Sequence, residues 1–376
     1  MGQASRLRYR LALDQIQGDI APGFKKDHQG YLFFRIGEAR QARAWLRHLR
    51  PRLASAEEVA TYNRLYTLVR RRSDGHPTDW IRSTWVNVAF SAEGLRQLRT
   101  DWSLKDRDAF AAGLGRRALS DLRFNKAFVD SWEFGRAGEP PFHGVLIVGA
   151  DSAEALNAEL DTLQTGLAPL QPERVLRLVG ATLGGGQEHF GFRDGLSQPT
   201  PDGSLLDGWA RDDPGDGGGP QVVAPGEIVL GYPDESAPTD MPIGAPPGQP
   251  IRWHSWEVNG SYLVFMKLEQ LVHEFRKALR GAARAHNVGE EALMARIVGR
   301  WRTGARLRPG QDLVRPPKLG HEDGAIPGSA YLDDPDGATV PLWSHIRKAN
   351  PRVLPADTLS DEDRAALDPR RHRLVR

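Results

Sequence analysis

Tyr31-Leu32-Phe33-Phe34-Arg35-Ile36 is the stretch whose reading decides the fold. Six residues dominated by aromatic and branched side chains, with Gly30 in front, read as a β-strand. Apolar positions then fall at Ala42, Trp45, Leu46 and Leu49 within 39–49, which is helical spacing. A strand running directly into a helix is the first half of a βαβ-type unit.

Reading outward, Ser55 with Glu58 forms a capping box that opens a second helix over 56–70. Ile81 to Phe90 reads as a strand, as does His143 to Gly149. Ser152 is placed to cap a helix running to about Leu163, and Arg174 to Leu183 reads as a further strand. This order predicts an α+β unit with helices on one face of an antiparallel sheet, of the ferredoxin-like kind.

The opening pattern returns as Tyr262-Leu-Val-Phe-Met-Lys267, with Tyr, Leu and Phe in the same register and a helix over 269–285 behind it. A weak internal repeat of this kind predicts tandem ferredoxin-like domains. The expected division is an N-terminal domain with an irregular arm over 1–186, a connecting segment over 187–260 and a partial second domain over 261–376. Between Thr200 and Pro250 lie ten glycines and ten prolines, which excludes a long helix there. Glu227 to Tyr232 is the one short strand expected within it. A further helix is expected over 290–298, and Gly299 to Gly304 as a turn. Past these, only His372 to Arg376 reads as a strand, so the second sheet is short of strands and is expected to be incomplete in this chain.

Composition narrows the chemistry. The chain has 376 residues, a formal net charge of +2 and no cysteine. The absence of cysteine excludes disulfides, thiolate metal sites and a cysteine nucleophile. The near-neutral charge gives no pull toward nucleic acid or an anionic membrane. No apolar run reaches membrane-spanning length, and the N-terminus lacks a signal core, so the expected location is cytoplasmic.

Two segments carry candidate chemistry. In Gln187-Glu-His-Phe-Gly-Phe-Arg-Asp-Gly-Leu-Ser-Gln-Pro199, Gly191 and Gly195 bracket Phe192, Arg193 and Asp194, so a carboxylate is presented on a glycine bend. In Pro341-Leu-Trp-Ser-His-Ile-Arg-Lys-Ala-Asn-Pro-Arg352, His345 stands between apolar Trp343 and Ile346 and cationic Arg347, Lys348 and Arg352. A histidine so placed suits a flat anionic cofactor such as haem, with the imidazole on iron and the cations at the propionates. Spacing alone leaves a histidine in a basic loop as the competing reading.

Gly191-Phe-Arg-Asp-Gly195 with Ser197-Gln-Pro199 resembles the GxxDG signature of dye-decolourising (DyP-type) haem peroxidases. Ser344 to Arg352 is similar to that family's proximal-histidine segment. Ile16-Gln-Gly-Asp-Ile20, Gly226 to Pro233, Asn259 to Phe265 and Gly299-Arg-Trp301 resemble it in the same order, so the similarity covers nearly the whole chain.

The resemblance implies a haem b cofactor with His345 as the proximal iron ligand and Arg347, Arg300 and Phe192 as further cofactor-binding residues. It implies Asp194 as the distal acid–base residue and Arg376 as the distal arginine. Hydrogen peroxide and a dye-like or other bulky aromatic reductant are the implied substrates. Trp253 and Trp256 are candidate electron-relay sites. The family normally continues beyond the position of Arg376 with further strands and a helix. The alternatives are therefore a non-catalytic haem-binding module, or one chain of a split peroxidase completed by a second polypeptide.

Overall fold

The structure is a computed structural model; it describes residues 11–72, 81–99, 108–195, 199–203, 221–234, 256–308, 310–311, 316–318, 334 and 336–349. The chain divides into two compact units, 1–181 with 225–266, and 182–224 with 267–376. The segment 225–266 therefore returns to the first unit rather than standing between domains.

In the first unit, β1 (His28–Phe34) is followed by α1 (Ala39–Leu49) and α2 (Ala56–Arg72), then β2 (Thr84–Phe90). Three short helices come next: α3 (Ala92–Leu98), α4 (Asp108–Ser120) and α5 (Lys126–Asp130). The unit closes with β3 (Gly144–Ala150), α6 (Ala153–Gly166) and β4 (Val175–Ala181). The sheet order is β2-β3-β1-β4 with every neighbour antiparallel. That is the split βαβ arrangement expected from the strand–helix order.

The period-two alternation of β1 explains the layering. Leu32 and Phe34 point to the helix side and pack with Val88, Leu146, Leu49, Leu156 and Leu160 in the main core. Gly30 lets α6 approach: a Cβ there would lie 2.6 Å from Leu160 Cδ1. Tyr31 and Phe33 point to the opposite side, where Phe265 meets them at ring distances of 4.9 and 5.0 Å. Phe134 and Phe142 complete that aromatic layer against Phe33, each at 5.5 Å.

Local chemistry sets the helix starts. Ser152 Oγ accepts the Ala155 amide at 3.2 Å, and Ser55 Oγ accepts the Glu58 amide at 3.1 Å, as their spacing implied. The arm seals one sheet edge. Gln17 donates from Nε2 to the Val88 carbonyl and accepts the Val88 amide at Oε1, at 2.9 and 2.8 Å, beside a Leu53–Val86 backbone bridge on the same edge.

Several expectations are corrected. Residues 261–267 form no strand ladder: Val264 is 73% exposed, and the half-buried Phe265 anchors the segment on Tyr31 and Phe33. In place of the strand expected over 227–232, Pro225–Glu227 is a 3-10 turn and 228–232 are turns and bends, because Gly226, Gly231 and Pro233 break the run. Ile228 and Val229 instead pack on Leu11, Ile16 and Ala56. The helices α3–α5 had no reading in the sequence; α4 is broken at Gly113, at φ 73° and ψ 165°.

The second unit holds a two-stranded parallel ladder of β5 (Pro199–Pro201) and β6 (Gln221–Val223), and the helices α7 (Val272–Ala285), α8 (Glu290–Val298) and α9 (His345–Ala349). No four-stranded sheet occurs among its described residues. The helix expected over 269–285 starts three residues later, and that over 290–298 is as expected. The terminal strand expected at His372 to Arg376 lies outside the described residues.

Candidate functional site

Both candidate segments belong to the second unit. The bend carrying Asp194 is a small hairpin: Gln187 and Arg193 form an antiparallel bridge, and the Asp194 amide donates to the Gly186 carbonyl at 2.9 Å. Its tip needs Gly191, at φ +98°, a conformation that a side chain disfavours. Phe190 and Phe192 turn away from the tip into a helical core. Phe192 packs with Leu279 and Met294, and Phe190 meets Phe275 at 4.8 Å. Asp194 itself is exposed, and its Oδ1 accepts the Gly195 amide at 2.7 Å.

A residue not singled out in the sequence organises this bend. The Glu188 carboxylate accepts the Phe190 and Phe192 amides at 2.9 and 2.8 Å, and Gln270 Nε2 at 2.7 Å. The available signal was a carboxylate at the head of a glycine bend, with amides two and four residues ahead.

His345 opens α9 with its imidazole exposed, and Trp343 is exposed beside it in sequence. The helix is anchored by what surrounds them. Ile346 is buried with Trp301, Ala295, Ala305, Leu307 and Val340. Arg347 is fully buried; it pairs with Asp334 at 2.9 Å and donates from Nε to the Val340 carbonyl at 2.9 Å. Asp334 in turn accepts the Thr339 and Val340 amides at 3.1 and 2.8 Å. Arg347 thus ties the histidine helix to Asp334 and Val340.

The turn at 299–304 touches both segments. Its Arg302 carbonyl accepts the Arg193 amide at 3.1 Å, and Arg302 pairs with Glu291 of α8. At its start, Gly299 takes φ +90° and lies so close to Ile346 that a Cβ would be 2.1 Å from Cγ2. Arg300 is buried and donates to the Gly304 carbonyl at 2.7 Å. One six-residue turn therefore fixes the acidic bend and the histidine helix together.

The matching family model is described as "DyP dimeric alpha+beta barrel domain" and matches residues 15–182. Dye-decolorizing peroxidase msp1 of Mycetinis scorodonius is 33% identical over 91% of this chain and 61% of that protein. A solved ancestral D-type dye-decolorizing peroxidase is 30% identical over 91% of this chain and 70% of that one, with a TM-score of 0.67. The chain belongs to the dye-decolourising peroxidase family. The multifunctional dye peroxidase DyP2 of an Amycolatopsis species is 28% identical over 96% of this chain and 70% of that protein. A dye-decolorizing peroxidase solved in complex with cyanide matches at a TM-score of 0.65, with 27% identity over 95% of this chain and 78% of that one. The chain spans only about three-fifths of the length of several curated relatives, 61% and 60% for the first two.

The residues present fit the haem that the family implies. His345 offers an imidazole nitrogen at the start of an anchored helix, beside an exposed indole. No group of three or more histidine, aspartate or glutamate side chains suited to a bare metal ion occurs among the described residues. An imidazole nitrogen suits iron whose other ligands come from a macrocycle. Phe192 and Arg347, by contrast, sit in packing and bracing positions within the protein. Arg376 and Trp253 lie outside the described residues. Trp256, in the first unit, has the Arg99 guanidinium 5.2 Å from its ring centroid. No helix among the described residues is long and apolar enough to cross a membrane.

Proposed function

We propose that this chain is the peroxide-reacting part of a haem peroxidase that oxidises dyes or other bulky aromatic reductants. The observation that carries the reading is the turn at 299–304, which ties the Asp194 bend to the His345 helix. When bound, haem supplies the iron at which peroxide is reduced. His345 would hold it, with Trp343 as the apolar neighbour and Arg300 as the buried cation of the connecting turn.

Asp194 acts as the acid–base group. Its carboxylate takes a proton from one peroxide oxygen and returns it to the other, so that water can leave. Being exposed, it is accessible to a small polar substrate. Arg376 is proposed to stabilise the charge that develops on peroxide. The acceptor of electrons is peroxide and the donor is an aromatic reductant, as the names of the relatives suggest for those proteins.

The test is Asp194→Asn in haemin-loaded protein. The expected result is retained haem with loss of peroxide-driven dye oxidation. Dye oxidation at the wild-type rate would remove Asp194 from the mechanism.

A further inference from the structure

We propose that Glu188 is the positioning residue for Asp194, an inference that rests on the peroxidase reading above. Three consecutive amides of the bend end on this one residue. Phe190 and Phe192 donate to its two carboxylate oxygens, and Gly191 donates to its carbonyl at 2.8 Å. Its own amide donates back to the Phe192 carbonyl at 2.9 Å. A glycine tip at positive φ cannot continue a strand ladder, so these amides need another acceptor. Glu188 supplies it.

The consequence reaches Asp194 through the hairpin stem. Asp194 is registered on Gly186 and Arg193 is bridged to Gln187, so the stem begins where the Glu188 loop closes. Gln270, two residues before α7, donates to the same carboxylate at 2.7 Å and links the bend to the helical core. All three side-chain contacts require an acceptor, which an ionised carboxylate is on both oxygens. Glutamine at 188 would turn an NH2 group toward at least one of these donors. Misplacing a reacting group by about 1 Å can cost roughly 100-fold in rate.

The experiment compares wild type with Glu188→Gln. In protein without haem, amide exchange is read at Phe190 and Phe192, with α7 and α8 as internal controls. In haemin-loaded protein, the second-order rate of peroxide consumption is read beside the KM for a dye. The expected result is exchange about tenfold faster at those two amides and a peroxide rate roughly ten- to 100-fold lower, consistent with the cost of misplacement. The Soret band and the dye KM stay as in wild type.

Unchanged exchange would overturn the structural basis. Faster exchange with a wild-type peroxide rate would reduce Glu188 to a loop brace and overturn the proposal. If Glu188→Gln fails to fold, Gln270→Ala removes one donor and leaves the carboxylate; a shift of the same sign, about threefold, is expected there, and no shift overturns the proposal. Asp194→Asn separates the two readings. If it keeps the wild-type peroxide rate, the peroxidase role of Asp194 fails, whatever the exchange at 190 and 192 shows.

Discussion

The Arg193 amide donates to the Arg302 carbonyl at 3.1 Å, and the turn that supplies this carbonyl begins at Gly299, against Ile346 and one residue from His345. The two candidate segments are 151 residues apart in sequence, from Asp194 to His345, yet share one strut. Changes in that strut should affect both.

Gly299→Ala tests the strut. The backbone there is at φ +90°, and the new methyl would overlap Ile346 at 2.1 Å. Left-handed strain and overpacking together should cost about 2–4 kcal/mol. Thermal unfolding should show a lower Tm, and haemin titration a weaker affinity. Wild-type values of both would argue against the strut.

Phe192→Ala should act on stability before it acts on cofactor binding. The ring is buried with Leu279 and Met294. Truncating a buried phenylalanine costs about 3–5 kcal/mol. Denaturant unfolding of the haem-free protein should show that loss. A haem-free stability equal to wild type, with impaired haemin binding, would instead make Phe192 a cofactor contact.

Arg347→Gln removes one partner of a fully buried ion pair and leaves Asp334 behind. The expected loss is about 3–5 kcal/mol, because the remaining charge stays buried. Denaturant unfolding of the haem-free variant measures it. A cofactor-contact role alone would leave that stability unchanged.

Asp19 should make stability fall as pH rises. Burial raises its pKa from 3.8 to about 6, against the smaller opposing effect of hydrogen bonds from the Asp19 and Ile20 amides. Its Oδ1 is buried without a hydrogen-bond partner, and the Asp19 charge acts on the Tyr31 phenol. The folded state therefore holds a proton more tightly than the unfolded state. This contribution to stability is present below about pH 4 and lost as pH rises through about 6. Asp19→Asn should raise Tm by a few degrees at pH 7–8 and change it little at pH 4. A pH-independent difference would contradict the assignment.

The first unit was legible because its strands are compact runs of apolar and branched residues, with β3 buried throughout and β1 dividing its side chains between two faces. Tyr31 to Phe34 announces one face for the helices and another for aromatic residues, and Ser55 and Ser152 mark helix starts by local chemistry alone. The run at 262–267 misled, because strand propensity describes a residue's fit to a sheet and the described residues supply no partner for it. The positions of Asp194 and His345 were readable as a glycine-bracketed carboxylate and a histidine among apolar and cationic residues. The functions of Glu188, Arg347 and Asp334 were not. Whether a charged side chain braces a loop or meets a ligand depends on which distant amides and carbonyls reach it, and sequence spacing does not give that.

The most direct test of the account is an absorption spectrum during haemin titration of the wild-type chain and of His345→Ala. The account predicts a saturable Soret band at one haemin per chain in the wild type, and an altered band with much weaker binding in the variant. Identical spectra and affinities in the two proteins would contradict it.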